Sequence, residues 1–243
     1  MKLSTVGIAA IAALGLSAAA NAGQVRVVDG VGGLNGQEGS GGAFQVQIIS
    51  GFNGYAGGPG GSATAFSSFC LERNENVSLG SFYNTTIATS AINGGYGGGS
   101  PDPVGEATAW LYRTFRDGGS IAGHVVDGVS TSGGLTPNEL VSALQLAIWR
   151  AEDEIMNTAT WDNLGNANVR TAALAMYNAA IAAAASAPGE FYGVRVLRLY
   201  TLGGDNSQDQ LTLVPLPPAG WAGLSTLAGA GLVGYIRRRK QLN

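Results

Sequence analysis

A single cysteine, Cys70, and a single histidine, His124, supply the only thiol and the only imidazole in 243 residues. One cysteine cannot close a disulfide within the chain, so the thiol has three readings. It is a small hydrophobe, since free cysteine is among the most buried residue types. It is the nucleophile of a Cys–His hydrolase with His124 as base, although His124 lies in a Gly-flanked stretch, 120–128, with no hydrolase signature around it. The third reading depends on a second position, Gln145. In Phe66-Ser67-Ser68-Phe69-Cys70-Leu71-Glu72, read as a strand, Phe69 and Leu71 face one way and Cys70 the other. Gln145 lies in Ala143-Leu144-Gln145-Leu146-Ala147-Ile148-Trp149, at the border of a helical apolar stripe, one turn after Val141 and one turn before Trp149. An uncharged amide among such neighbours can be held away from water. One His and one Cys cannot build a zinc site, and Asp205-Asn206-Ser207-Gln208-Asp209 lacks the Gly and the distant Glu of a calcium loop and reads as a turn. No metal or cofactor is expected.

The two segments around Cys70 and Gln145 resemble the thioester domains of bacterial surface adhesins, which pair an aromatic-Cys-aliphatic-acidic motif with a distant Gln in a hydrophobic helix. Here the motifs are Phe69-Cys70-Leu71-Glu72 and Leu144-Gln145-Leu146-Ala147-Ile148-Trp149, with Cys and Gln 75 positions apart. The resemblance implies that the Cys70 sulfur attacks the Gln145 side-chain carbonyl and ammonia leaves, forming an internal thioester. An incoming amine or hydroxyl then captures the acyl group and releases Cys70 as a thiol. Such a bond needs near-attack positioning and protection from water, and the candidate shields are Phe69, Trp149 and Trp110. Residues 23–214 contain no lysine, so a stored amine-reactive group there has no ε-amine of its own domain to consume it.

The elements that must position these residues belong to a charge-poor chain. Charged residues are 12% of the sequence, about half the usual share, and its 39 glycines are about twice the usual share. That composition excludes a coiled coil and a charged disordered chain. Residues 23–214 hold eight Arg against all sixteen acids, so there is no basic stripe to neutralise phosphates and no nucleic-acid partner is expected. Residues 25–28, 43–49 and 63–71 read as short strands between Gly clusters, with Phe44, Val46 and Ile48 alternating with Gln45 and Gln47. Three helices follow. The first is expected to start from Asp102 as N-cap with Pro103 at its first position, and to carry Val104, Ala107, Leu111 and Phe115 on one face. The second starts at the capping box Thr136-Pro137-Asn138-Glu139 and runs to about residue 155, with Glu152-Asp153-Glu154 as a solvated face. The third spans roughly 168–185. Strands return at 192–202 and 210–214. This order predicts one α+β domain: a β-sandwich or barrel-like body with a helical insertion.

Both ends read as addresses. Lys2, the apolar run 6–20 and the small-x-small site Ala20-Asn21-Ala22 make residues 1–22 a signal peptide for signal peptidase. At the other end Val214-Pro215-Leu216-Pro217-Pro218 precedes an uncharged stretch, 219–236, then Arg237, Arg238, Arg239 and Lys240. Eighteen helical residues span roughly 27 Å, a marginal length for a hydrocarbon core of about 30 Å, and the cations should stay cytoplasmic. Residues 210–243 resemble the sorting signal of PEP-CTERM proteins, with Pro-Leu-Pro-Pro in place of Pro-Glu-Pro. The resemblance implies processing by an exosortase-type membrane protease, a Gram-negative-type envelope and association with exopolysaccharide.

The expected organisation is therefore signal peptide 1–22, extracytoplasmic domain 23–209, and sorting signal 210–243 with a transmembrane helix at 219–236. The expected function is a non-enzymatic cell-surface or matrix protein. It is transiently membrane-anchored and bears a Cys70–Gln145 thioester for one-time covalent attachment to an exopolysaccharide or surface-protein acceptor. The alternative is a non-reactive structural or glycan-binding β-domain in which Cys70 and Gln145 are merely packed.

Overall fold

A computed structural model describes residues 23–30, 37–38, 41–52, 56–58, 61–97, 99–155 and 157–214. The expected signal peptide, the transmembrane stretch 219–236 and the sorting residues Pro215, Pro217, Pro218, Arg237, Arg238 and Arg239 lie outside the described residues. Among the described residues the chain runs β1 (Gly23–Asp29), β2 (Gln37–Glu38), β3 (Gly41–Ser50), β4 (Ala65–Phe69), β5 (Phe82–Ala88), β6 (Ser90–Ala91) and β7 (Asp102–Pro103). It continues through α1 (Glu106–Arg116), β8 (Ser120–Ile121), β9 (His124–Val125), α2 (Pro137–Ala151), α3 (Thr158–Asp162) and α4 (Ala167–Ser186), then β10 (Val194–Tyr200) and β11 (Asn206–Leu213). The protein is thus mixed α+β, with an antiparallel sheet and a helical segment between strands. None of the described helices is long and apolar enough to cross a membrane.

The main sheet has the order β11-β10-β5-β1-β3-β2, and β4 also pairs with β3. Antiparallel registers such as Val27↔Val46 and Val46↔Phe66 stack valine and phenylalanine on one face. β4 also lies near β11: Cys70, just past β4, forms an antiparallel bridge with Gln210 of β11. Beside it, Leu71 N donates to Asp209 O at 3.2 Å and Ser68 Oγ to Leu211 O at 2.6 Å. Because β11 continues to Leu213 with its last residues buried, residues 210–213 belong to the sheet. Val214 N still donates to Gly193 O.

α2 is the central helix. Its capping box forms as the sequence predicts: the Thr136 hydroxyl accepts from Glu139 N, and Glu139 Oε2 accepts from Thr136 N. Every residue from Leu140 to Trp149 is buried, because α2 packs against α1, α4 and β3 at once. A helix covered on all sides has no solvated face, which is why the expected stripe is only part of what is buried.

Two boundaries differ from expectation. Asp102–Pro103 does not cap α1 but pairs with Ser90–Ala91 as β7; the helix starts at Glu106 behind Gly105, whose N–H donates to Glu152 Oε1 at 2.9 Å. α2 ends at Ala151, with Asp153 in a left-handed conformation (φ 57°) just beyond. Glu152-Asp153-Glu154 is therefore not a solvated helical face: the chain turns at Asp153 and buries Glu154.

Candidate functional site around Cys70 and Gln145

β4 and α2 bring the two candidate residues together. Cys70 continues the line of β4, and Gln145 occupies the middle of α2; both are 0% exposed. The Gln145 side-chain amide lies against the Cys70 main chain like a neighbouring strand. Cys70 N donates to Gln145 Oε1 at 3.1 Å, and Gln145 Nε2 donates to Cys70 O at 3.0 Å. Gly42 N of β3 donates to the same Oε1 at 3.2 Å. Two main-chain N–H groups thus converge on one carbonyl oxygen. That is the arrangement that stabilises negative charge on oxygen when a carbonyl is attacked.

Gly42 is a residue that sequence reasoning missed. Its φ of 148° lies in the region that disfavours side chains, and that conformation aims its N–H at the buried amide. Gln210 was missed too. Opposite Cys70 across the bridge, its Nε2 donates to Cys70 Sγ at 3.8 Å, while its Oε1 is buried without a hydrogen-bond partner. Burial pushes the Cys70 thiol far above its ordinary range; the Gln210 amide and the Gly42 N–H pull against that shift.

The expected shields occupy different positions. Phe69 is fully buried and packs edge-on against Phe115 (5.0 Å between centroids) and Tyr112 (6.4 Å) of α1. Trp149 is fully buried one turn after Gln145, with its indole N–H unpaired. Trp110 is only partly buried, and the α1 rings in contact with Phe69 are Tyr112 and Phe115 instead. These rings also brace β4: Tyr112 Oη donates to Ser67 O at 2.9 Å, and Arg116 Nη1 donates to Tyr112 Oη at 2.7 Å. Of the sorting residues only Val214 is described, at the exit of β11.

His124 sits in the β8–β9 hairpin against Gly133 and makes no hydrogen bond to Cys70. Several carboxylates are buried around the β4–β11 junction. Glu72 is 2% exposed with neither oxygen hydrogen-bonded, and burial together with Asp209, Glu75 and Glu154 pushes its carboxyl up to about 9. Asp209 accepts from Ile92 N at 2.7 Å and Leu199 N at 3.2 Å, yet burial still raises it to about 7. The expected turn at 205–209 is mostly strand, since Asn206, Ser207, Gln208 and Asp209 all belong to β11; the turn before it is closed by Thr201 N donating to Asp205 O. No group of three or more His, Cys, Asp or Glu among the described residues could hold a metal ion.

Compared with known proteins, the chain matches no family model, no curated protein and no solved structure.

Proposed function

We propose that this is an exported surface or matrix protein whose body holds a Cys70–Gln145 thioester, and that it attaches covalently, once, to an amine or hydroxyl of its acceptor. The observation that carries the reading is the buried amide: the Gln145 carbonyl oxygen lies between the Gly42 and Cys70 N–H groups, on the residue that bears the sulfur. When Sγ attacks the Gln145 side-chain carbonyl carbon, the two donors stabilise the oxyanion. The C–N bond then breaks and the thiol proton leaves with the nitrogen as ammonia. The Gln145 nitrogen that departs is the one that donates to Cys70 O. An incoming amine reverses the sequence, forming a new C–N bond while the C–S bond breaks. The reaction consumes its own acyl group, so the protein is a reagent rather than an enzyme.

The body is read as a barrel-like closure, in which the Cys70↔Gln210 bridge joins β11, one end of the sheet order, to the residue following β4, the strand that branches from β3. Export by signal peptidase and sorting through an exosortase-type protease, with transient membrane anchoring and an exopolysaccharide or surface-protein acceptor, rest on the terminal sequences alone.

Intact mass of the mature domain tests the reading. The domain should weigh one ammonia less than its sequence, methylamine should add and free a thiol, and Cys70→Ala should abolish both effects. A second reading has its own observation: the Gln145 amide satisfies the donor and acceptor of Cys70 as a strand would, which any buried strand end requires. Under that reading the domain is a non-reactive structural or glycan-binding body, its mass is unmodified, and methylamine does nothing.

A further inference from the structure

We propose that Gln210 is the residue that manages the sulfur, its side-chain amide holding Cys70 Sγ as it attacks Gln145 and again as it leaves the acyl group. This rests on the thioester reading and adds the group that acts at the leaving atom.

Cys70 and Gln210 face each other across an antiparallel bridge, so their side chains share one side of the sheet as nearest neighbours. The Nε2 to Sγ distance is 3.8 Å, and among the described residues Gln210 is the side chain hydrogen-bonded to the sulfur. Gln210 is fully buried, and its Oε1 has no partner. An apolar residue of similar size would fill this space without leaving an acceptor unsatisfied. The amide is therefore costly unless it acts on the sulfur or on what arrives there.

In the opening reaction the amine nitrogen attacks the acyl carbon of the thioester and a C–N bond forms. The C–S bond then breaks, its electron pair goes to Sγ, and a proton passes from the attacking nitrogen to the sulfur. The products are an amide at residue 145 and a thiol at Cys70. As the C–S bond breaks, negative charge builds on Sγ, and the Gln210 N–H that meets the sulfur stabilises it. The same donor favours the thiolate during thioester formation. Oε1, on the same carbon as Nε2 and without a partner of its own, is free to accept an N–H of the entering amine.

Gln210→Met keeps side-chain length and removes both donor and acceptor. The test is the methylamine opening rate of the purified mature domain, followed by intact mass, with circular dichroism reporting the fold. The folded variant should open about 10- to 100-fold more slowly, or carry the full sequence mass because the thioester does not form. Thr212→Val, which changes a buried unpaired hydroxyl on the same strand, should open at the wild-type rate. Opening of Gln210→Met at the wild-type rate overturns the proposal. If Gln210→Met does not fold, Gln210→Glu replaces it: the protonated acid donates to sulfur and the carboxylate cannot, so its opening rate should fall relative to wild type as pH rises. Parallel pH profiles overturn the proposal. A wild-type domain of full sequence mass overturns the thioester reading itself, an outcome separate from a failure confined to Gln210.

Discussion

At the Gln145 amide every hydrogen bond reaches main chain: its oxygen receives two N–H groups and its nitrogen gives one to Cys70 O. Main-chain donors are fixed by the fold and do not reorganise during a reaction, the condition under which electrostatic stabilisation is largest. Gly42 is the more vulnerable of the two donors. A side chain at φ 148° is strained by ~1–3 kcal/mol, and relaxing that strain swings the N–H off Oε1. Gly42→Ala should therefore form the thioester at least about tenfold more slowly, approaching the 10²–10³ loss seen when such a donor is removed. The time course of ammonia release as never-folded chain, solubilised from inclusion bodies with Gln145 still an amide, is brought to native conditions checks this, and an unchanged time course would remove Gly42 from the chemistry.

At the scale of elements, α2 sets where Gln145 sits, and two features fix α2. Thr136→Ala removes half of the capping box and should cost about 1 kcal/mol, read as a fall in thermal midpoint with the mass deficit intact. Trp149→Ala empties a fully buried site one turn from Gln145 and should cost ~3–5 kcal/mol; methylamine should also open the thioester faster as water gains entry. These elements differ in how far they can be read from sequence. The capping box and the alternation of Phe44, Val46 and Ile48 are local signals, and they specify α2 and β3. Cys70 and Gln145 stand out because one is the only thiol and the other is an amide between Val141 and Trp149 on a helix face. Gly42 and Gln210 do not, since their roles exist only where β3, β4, β11 and α2 meet. β5 has a legible pattern in Phe82-Tyr83-Asn84-Thr85, with Tyr83 and Thr85 buried, but it is short and surrounded by turn residues. Asp102-Pro103 carries a helix-start signal, and a strand partner at Ser90–Ala91, which local reading cannot see, claims it instead.

Across the whole molecule, raised carboxyls at buried Glu72 and Asp209 and at half-buried Glu152 should make stability fall as pH rises. Glu72 is raised from 4.5 to about 9, Asp209 from 3.8 to about 7, and Glu152 from 4.5 to about 7, each chiefly by burial. Within those intervals the folded state binds protons that the unfolded chain has released, so stability falls as pH rises. The contribution is complete below about pH 4, declines for all three groups up to about 7, and continues to decline for Glu72 up to about 9. The thermal midpoint should drop from pH 5 to pH 9, and Glu72→Gln should flatten the part between 7 and 9. A midpoint that stays level over this range would show that these carboxyls ionise in the folded protein at their ordinary values.

The bridge between Cys70 and Gln210 has a mechanical consequence. The last described residue, Val214, follows directly on β11, so tension applied at that end loads the strand that carries Gln210. Peeling β11 from its C-terminal end would withdraw the amide from the sulfur and open the seam beside it to solvent. If the domain carries the proposed thioester, pulling at that end should speed methylamine capture steeply as the force rises, a dependence that capture under a calibrated stretching force can read directly.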